Sequence, residues 1–135
     1  MMGKPMEQKM TFRFELFVDD LPASIDFYHR VLQFQIGEQH SDKFTPITNG
    51  NVRIGLYLRS ALRADHPIQA VEGERLGRGI EMVLEVDDVA AMYEHVLSQD
   101  WPISAELQQR PWGLTDFRVM DPNGFYLRIT SRVQP

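Results

Sequence analysis

Two stretches of the chain alternate apolar and polar positions with a period of two. Phe12, Phe14, Leu16 and Val18 are interleaved with Arg13, Glu15 and Phe17, and Ile80, Met82, Leu84 and Val86 with Glu81, Val83 and Glu85. That period predicts strands with one face turned to a core and one turned away from it. Each stretch then passes through Val-Asp-Asp and an aliphatic residue into a helical pattern ending in Val-Leu. The two units read FRFELFVDDLPASIDFYHRVL (12–32) and IEMVLEVDDVAAMYEHVL (80–97), an internal repeat. Asp19-Asp20 and Asp87-Asp88 supply side-chain acceptors and negative charge at the predicted helix starts. Pro22 falls in a first turn, where its missing N–H costs nothing. Val89, Met92, Tyr93, Val96 and Leu97 form the buried stripe expected of the second helix. Leu21, Ile25, Tyr28 and Leu32 form a thinner one on the first.

Short strands are predicted to follow each helix. In the first unit they cover 33–40 and 43–48, and Asn49-Gly50 turns the chain into Val52–Leu58. Asn123-Gly124 plays the same part before Phe125–Thr130. The expected fold class is α+β: two βαβββ modules forming curved mixed sheets around a cleft, with the helices on the outer faces. Residues 1–135 are read as a single domain, with module one at about 10–58, a connector at about 59–79 and module two at about 80–131. Arg13, Glu15 and Phe17, then Glu81, Val83 and Glu85, then Tyr126, Arg128 and Thr130 make faces too polar for a sealed core. They line a cleft, or they face water; the pattern leaves both open.

Composition narrows the chemistry. The net charge of −5 gives no electrostatic footprint for nucleic acid. The absence of cysteine removes disulfides, thiolate nucleophiles and iron–sulfur ligation. No apolar run reaches the ~18 residues of a membrane span, and the first ten residues lack the apolar segment of a secretory signal, so a cytoplasmic protein without a membrane partner is expected.

The doubled V-D-D-aliphatic unit, followed by PWG, DFR and DPNG near the end, resembles the glyoxalase/bleomycin-resistance/extradiol-dioxygenase (vicinal oxygen chelate) superfamily, over about residues 12–130. The segment PWGLTDFRVMDPNG is most similar to its bleomycin-resistance-like branch. The resemblance implies a homodimer, often with modules exchanged between chains. It also implies a divalent ion held by His and Glu ligands on the cavity faces. The ligand position six residues before the first Asp of each V-D-D unit is occupied here by Arg13 and Glu81. The position seven residues after the Asp of DPxG is Arg128, and the fourth lies near Gly55 or Tyr57. A guanidinium group has no lone pair to give a metal. Of these positions only Glu81 keeps a ligand type, and His29, His40, His66 and His95 lie on surfaces, a strand end or the connector.

No cofactor is therefore expected, a divalent metal being the lesser alternative. The leading reading is a small-molecule-binding protein of the bleomycin-resistance type. Its candidate ligand-binding residues are Arg13, Glu81, Arg128, Trp112, Phe17, Phe44 and Tyr57. The competing reading is a lyase, isomerase or dioxygenase with a displaced metal site, or one using Glu81 as a base; neighbouring arginines would work against that role by holding Glu81 ionised. A structural or regulatory subunit with a vestigial cleft is the third. Two further alternatives stay open: Arg13, Glu81 and Arg128 can simply pair with one another, and Asp116 can pair with Arg118 along their shared face.

Overall fold

The structure, a computed structural model, describes residue 3 and residues 7–133. Its element order repeats: β1 (Phe14–Val18), α1 (Leu21–Asp26), β2 (Gln35–Ile36), β3 (Phe44–Asn49) and β4 (Val52–Leu58), then β5 (Glu81–Val86), α2 (Val89–Ser98), β6 (Ala105–Gln109), β7 (Thr115–Met120) and β8 (Tyr126–Ser131). Each module is a four-stranded mixed sheet, ordered β1-β4-β3-β2 and β5-β8-β7-β6. In each, the first strand pairs parallel to the last, and the remaining pairs are antiparallel. The α+β class and the paired βαβββ modules are as the repeat predicts.

The V-D-D units work locally as their chemistry requires. Asp20 Oδ1 accepts from Ala23 N at 3.0 Å and Asp88 Oδ1 from Ala91 N at 3.0 Å, each satisfying a donor that helix geometry leaves free. The helices lie against the apolar sheet faces, on the side away from Arg13, Glu81 and Arg128. Leu16, Val18, Leu56, Phe117, Leu127 and Ile129 from both sheets join Phe27, Tyr28, Val31 and Val96 from the helices in one continuous core.

The modules are tied together through the first helix. Tyr28 Oη donates to Asp121 Oδ2 at 2.8 Å, and Asn123 Nδ2 to Ser24 Oγ at 3.1 Å. The Phe27 and Trp101 rings stand 4.7 Å apart, and His95 Nε2 contacts Arg30 O at 2.9 Å. The DPNG turn is built around the same aspartate, whose Oδ1 also accepts from the backbone N of Asn123 and Phe125. Gly124 takes a φ of 97°, and a Cβ there would meet Arg75 Cγ of the connector at 2.7 Å.

Several local expectations change. After Asp26 the first helix widens into a π-helical turn (Phe27–Val31), which carries Phe27, Tyr28 and Val31 into the core together. The buried stripe is thus broader than a 3.6-residue period suggests. Phe12 and Ile80 precede their strands and are 70% and 51% exposed, and Leu97 is exposed at the helix end. The strand expected over 33–40 shrinks to Gln35–Ile36, and the first hairpin turns on Gly50-Asn51, where Gly50 takes a φ of 56°. No helix among the described residues is long and apolar enough to cross a membrane.

Candidate functional site

The face of the first sheet turned away from the core is aromatic. Strand alternation places Phe17 and Tyr57 side by side in register, and Phe44 opposite Tyr57 on the next strand. Ring centroids are 5.5 Å apart for Phe17–Tyr57 and 5.7 Å for Phe44–Tyr57, both tilted. His66 of the connector stands 6.5 Å from Phe17, and its Nδ1 accepts from Ile68 N, so it borders the wall from outside the sheet. Gly55 lies on the Tyr57 strand, β4, between the strands that carry Phe17 and Phe44. A Cβ there would run into the Glu15 carboxylate and meet Phe44 Cε2 at 2.8 Å, so glycine lets both side chains lie flat on the sheet.

The corresponding face of the second sheet is charged. Arg128 Nε lies 2.9 Å from Glu81 Oε1, close enough for an ion pair but misaligned for a hydrogen bond, so the buried Nε–H has no aligned acceptor. Arg118 stands directly across β7/β8 from Arg128. A hydrogen bond to the Tyr126 hydroxyl, opposed by burial and reinforced by Asp116, raises its guanidinium further above its ordinary value. Asp116 is fully buried; its Oδ1 accepts from Arg110 Nε at 2.8 Å, while Arg118 Nε is at 3.6 Å. Asp116 Oδ2 and Arg118 Nε, like Arg128 Nε, are buried without a hydrogen-bond partner. Arg110 begins the loop carrying Trp112, which is 56% exposed at the turn.

Of the residues singled out from the sequence, the structure gathers Phe17, Phe44 and Tyr57 on one sheet and Glu81 with Arg128 on the other. Arg13 does not join them. It pairs with Glu15 at 3.5 Å on its own module, with its side chain 67% exposed. Among the described residues no hydrogen bond, ion pair or ring contact links the aromatic face to the charged one. Arg110 was not anticipated as a site residue; its place in the RPWG motif was visible, but its carboxylate partner was not. Asp116 pairs with Arg110 more closely than with Arg118.

Would a divalent ion fit at Glu81? The neighbouring positions offer guanidinium groups, which have no lone pair, and the carboxylate itself is engaged by Arg128. Among the described residues no group of three His, Cys, Asp or Glu converges. The residues present do not fit a catalytic ion at this position.

A chain of two βαβββ modules, each a mixed sheet with one helix on its apolar face, is the architecture of a known group of small proteins. The sequence profile of the Glyoxalase/Bleomycin resistance protein/Dioxygenase superfamily matches residues 12–129, and the chain belongs to that superfamily. Among solved structures it is similar to a glyoxalase/bleomycin resistance protein/dioxygenase from Nocardioides, with 18% identity and a TM-score of 0.76, covering 96% of this chain and 87% of that one. It is also similar to lactoylglutathione lyase from Agrobacterium tumefaciens, with 18% identity, a TM-score of 0.68, and 93% and 96% of the two chains covered. TioX from Micromonospora sp. ML1 gives 19% identity, a TM-score of 0.72, and 92% and 100% coverage. At these identities the likeness establishes the fold. No match is found among curated proteins.

Proposed function

We propose that this protein binds a small, flat organic ligand without a catalytic metal, in a cleft completed by a second copy of the chain. The observation that carries this reading is the pair of open, dissimilar faces. One holds the partly exposed aromatic wall of Phe17, Phe44 and Tyr57; the other holds Glu81 and Arg128, on the sheet whose β6–β7 loop exposes Trp112. Neither face alone encloses a ligand. A homodimer that sets module one of one copy against module two of the other would close both. The edges support such pairing. β1 and β5 are each the outermost strand of their sheet, and Phe12, Ile80 and Val83 stand exposed along or beside them. In this reading Arg13 reaches the cleft from the rim.

The test is metal analysis of protein purified without chelator, then melting scans with Mn²⁺, Fe²⁺, Ni²⁺ or Zn²⁺ and with a panel of flat aromatic compounds. The expected result is no stoichiometric metal, no metal-dependent shift, and a saturable shift with at least one aromatic class. Bound metal at one ion per chain would instead favour a lyase, isomerase or dioxygenase with its ligands displaced from Glu81. A monomer in light scattering at working concentration would remove the shared cleft.

A further inference from the structure

We propose that Arg118 and Arg128 form a receptor for a carboxylate, so that the ligand is an aromatic or otherwise flat carboxylic acid. The proposal rests on the small-ligand reading above and names the class of molecule that the cleft selects.

Arg118 and Arg128 are direct partners across the antiparallel β7/β8 pair, on the face turned away from the core. Side chains so placed start about 5 Å apart, and like charges at such positions oppose pairing unless something neutralises them. The chain supplies too little. Glu81 reaches Arg128 at 2.9 Å, but as a contact misaligned for a hydrogen bond. Asp116 is held first by Arg110 at 2.8 Å and lies 3.6 Å from Arg118. Three guanidinium groups thus share two carboxylates, and one positive charge is left over at the Arg118–Arg128 pair. Glu85, on the same face of β5, is exposed, toward the end of the strand.

Hydrogen bonding leads to the same group. Arg118 Nε and Arg128 Nε are buried from water and donate to nothing. Those Nε–H groups face Asp116 and Glu81 and are closed to a ligand, but the two side chains keep 24% and 27% of their surface exposed, so their outer guanidinium nitrogens are a pair that one planar acceptor can bridge. A carboxylate has that shape, with two oxygens and acceptor positions for both guanidinium forks. Asp116 is fully buried, its Oδ1 3.6 Å from Arg118 Nε, and would repel an anion that came deeper, so the charge is read at the outer side of the pair. The rest of the ligand then extends outward, toward Trp112 and the aromatic wall.

The experiment compares three probes of one shape: 2-naphthoate, 2-naphthamide and 2-naphthylmethylammonium. Each is titrated into the full chain at millimolar concentration by calorimetry and melting shift. The naphthoate is expected to bind at least about tenfold more tightly than the amide, the difference a charge-assisted pair contributes. Arg118→Gln and Arg128→Gln should each abolish that preference, while Arg63→Gln in the exposed connector should not alter it. Glu81→Gln guards against arginine variants that fail to fold. Freeing Arg128 from its carboxylate should raise the preference for naphthoate over the amide several-fold. Equal binding of acid and amide would overturn the carboxylate receptor while leaving the small-ligand reading standing. Preference for the ammonium probe would overturn it in favour of recognition by Glu81 and Asp116. No binding by any probe would remove both readings.

Discussion

Asp121 shows how one side chain can be both signature and fastener. It is buried, and it accepts from Tyr28 Oη and from the backbone of Asn123 and Phe125. Burial pushes its carboxyl above the ordinary value of 3.8; the donated hydrogen bonds pull the other way without cancelling it. The sign follows. A carboxyl whose folded pKa is raised contributes most below its unfolded value and loses that contribution as pH climbs through the folded one. Urea melts of wild type and Asp121→Asn at a series of pH values should therefore show wild type losing ground to the variant as pH rises above 3.8. A pH-independent difference would mean that the donors fully offset burial. The Tyr28 hydroxyl, pushed well above 10.0 chiefly by burial and then by Asp121, remains a donor throughout that range. Tyr28→Phe should cost about 1–2 kcal/mol with an unchanged urea dependence, since it strips one donor from a buried carboxylate. The DPNG motif was legible as a turn, but its partner lies 93 residues earlier in sequence, and nothing local announces that contact.

Elements repeat the contrast. The strand alternations and the paired aspartate caps were readable, because each depends on neighbours within four residues. The π-helical turn was not. Phe27 falls outside the Leu21, Ile25, Tyr28 and Leu32 stripe, yet it is fully buried in the widened turn. The aromatic wall was partly legible, since Phe17, Phe44 and Tyr57 sit at alternating positions on predicted strands. The Glu81–Arg128 pair was open as an alternative, but the Arg110–Asp116 pair was not, since Arg110 finds Asp116 only once β6 and β7 are folded back on one another. That pair makes a sharp prediction for β7. Arg110→Met leaves a fully buried carboxylate with only Arg118 at 3.6 Å. The expected loss is about 3 kcal/mol in urea unfolding, as for other buried pairs deprived of one partner. The double variant Arg110→Met/Asp116→Asn should recover much of it, because the uncompensated charge is gone. If the single variant proved neutral, Arg118 would have to be moving in to replace Arg110.

At the scale of the whole molecule, the question is whether the aromatic and charged faces act together. Which faces are polar was legible from alternation alone. How the faces are set relative to one another was not, because it depends on packing between modules: Arg13 pairs with Glu15 while Arg128 pairs with Glu81. If the cleft is shared between two copies, each site takes its aromatic wall from one chain and its arginines from the other. Tyr57→Ala damages the first half and Arg128→Gln the second, so neither homodimer should bind naphthoate well. In a mixed dimer one of the two sites collects both defects, and the other collects none. Co-refolding the two variants in equal amounts should then yield about half mixed dimers and restore about a quarter of the wild-type sites, each with full affinity. A cleft within one chain gives no such rescue, because every chain carries a defect. Calorimetric stoichiometry separates the two cases directly, since recovered sites appear as a reduced number with unchanged affinity. The result bears on β1 and β5 as well. Recovery would require their open edges to lie near a second copy, whereas an intact site within a single chain would leave those edges, with Phe12 and Ile80 beside them, without a partner to explain their exposure.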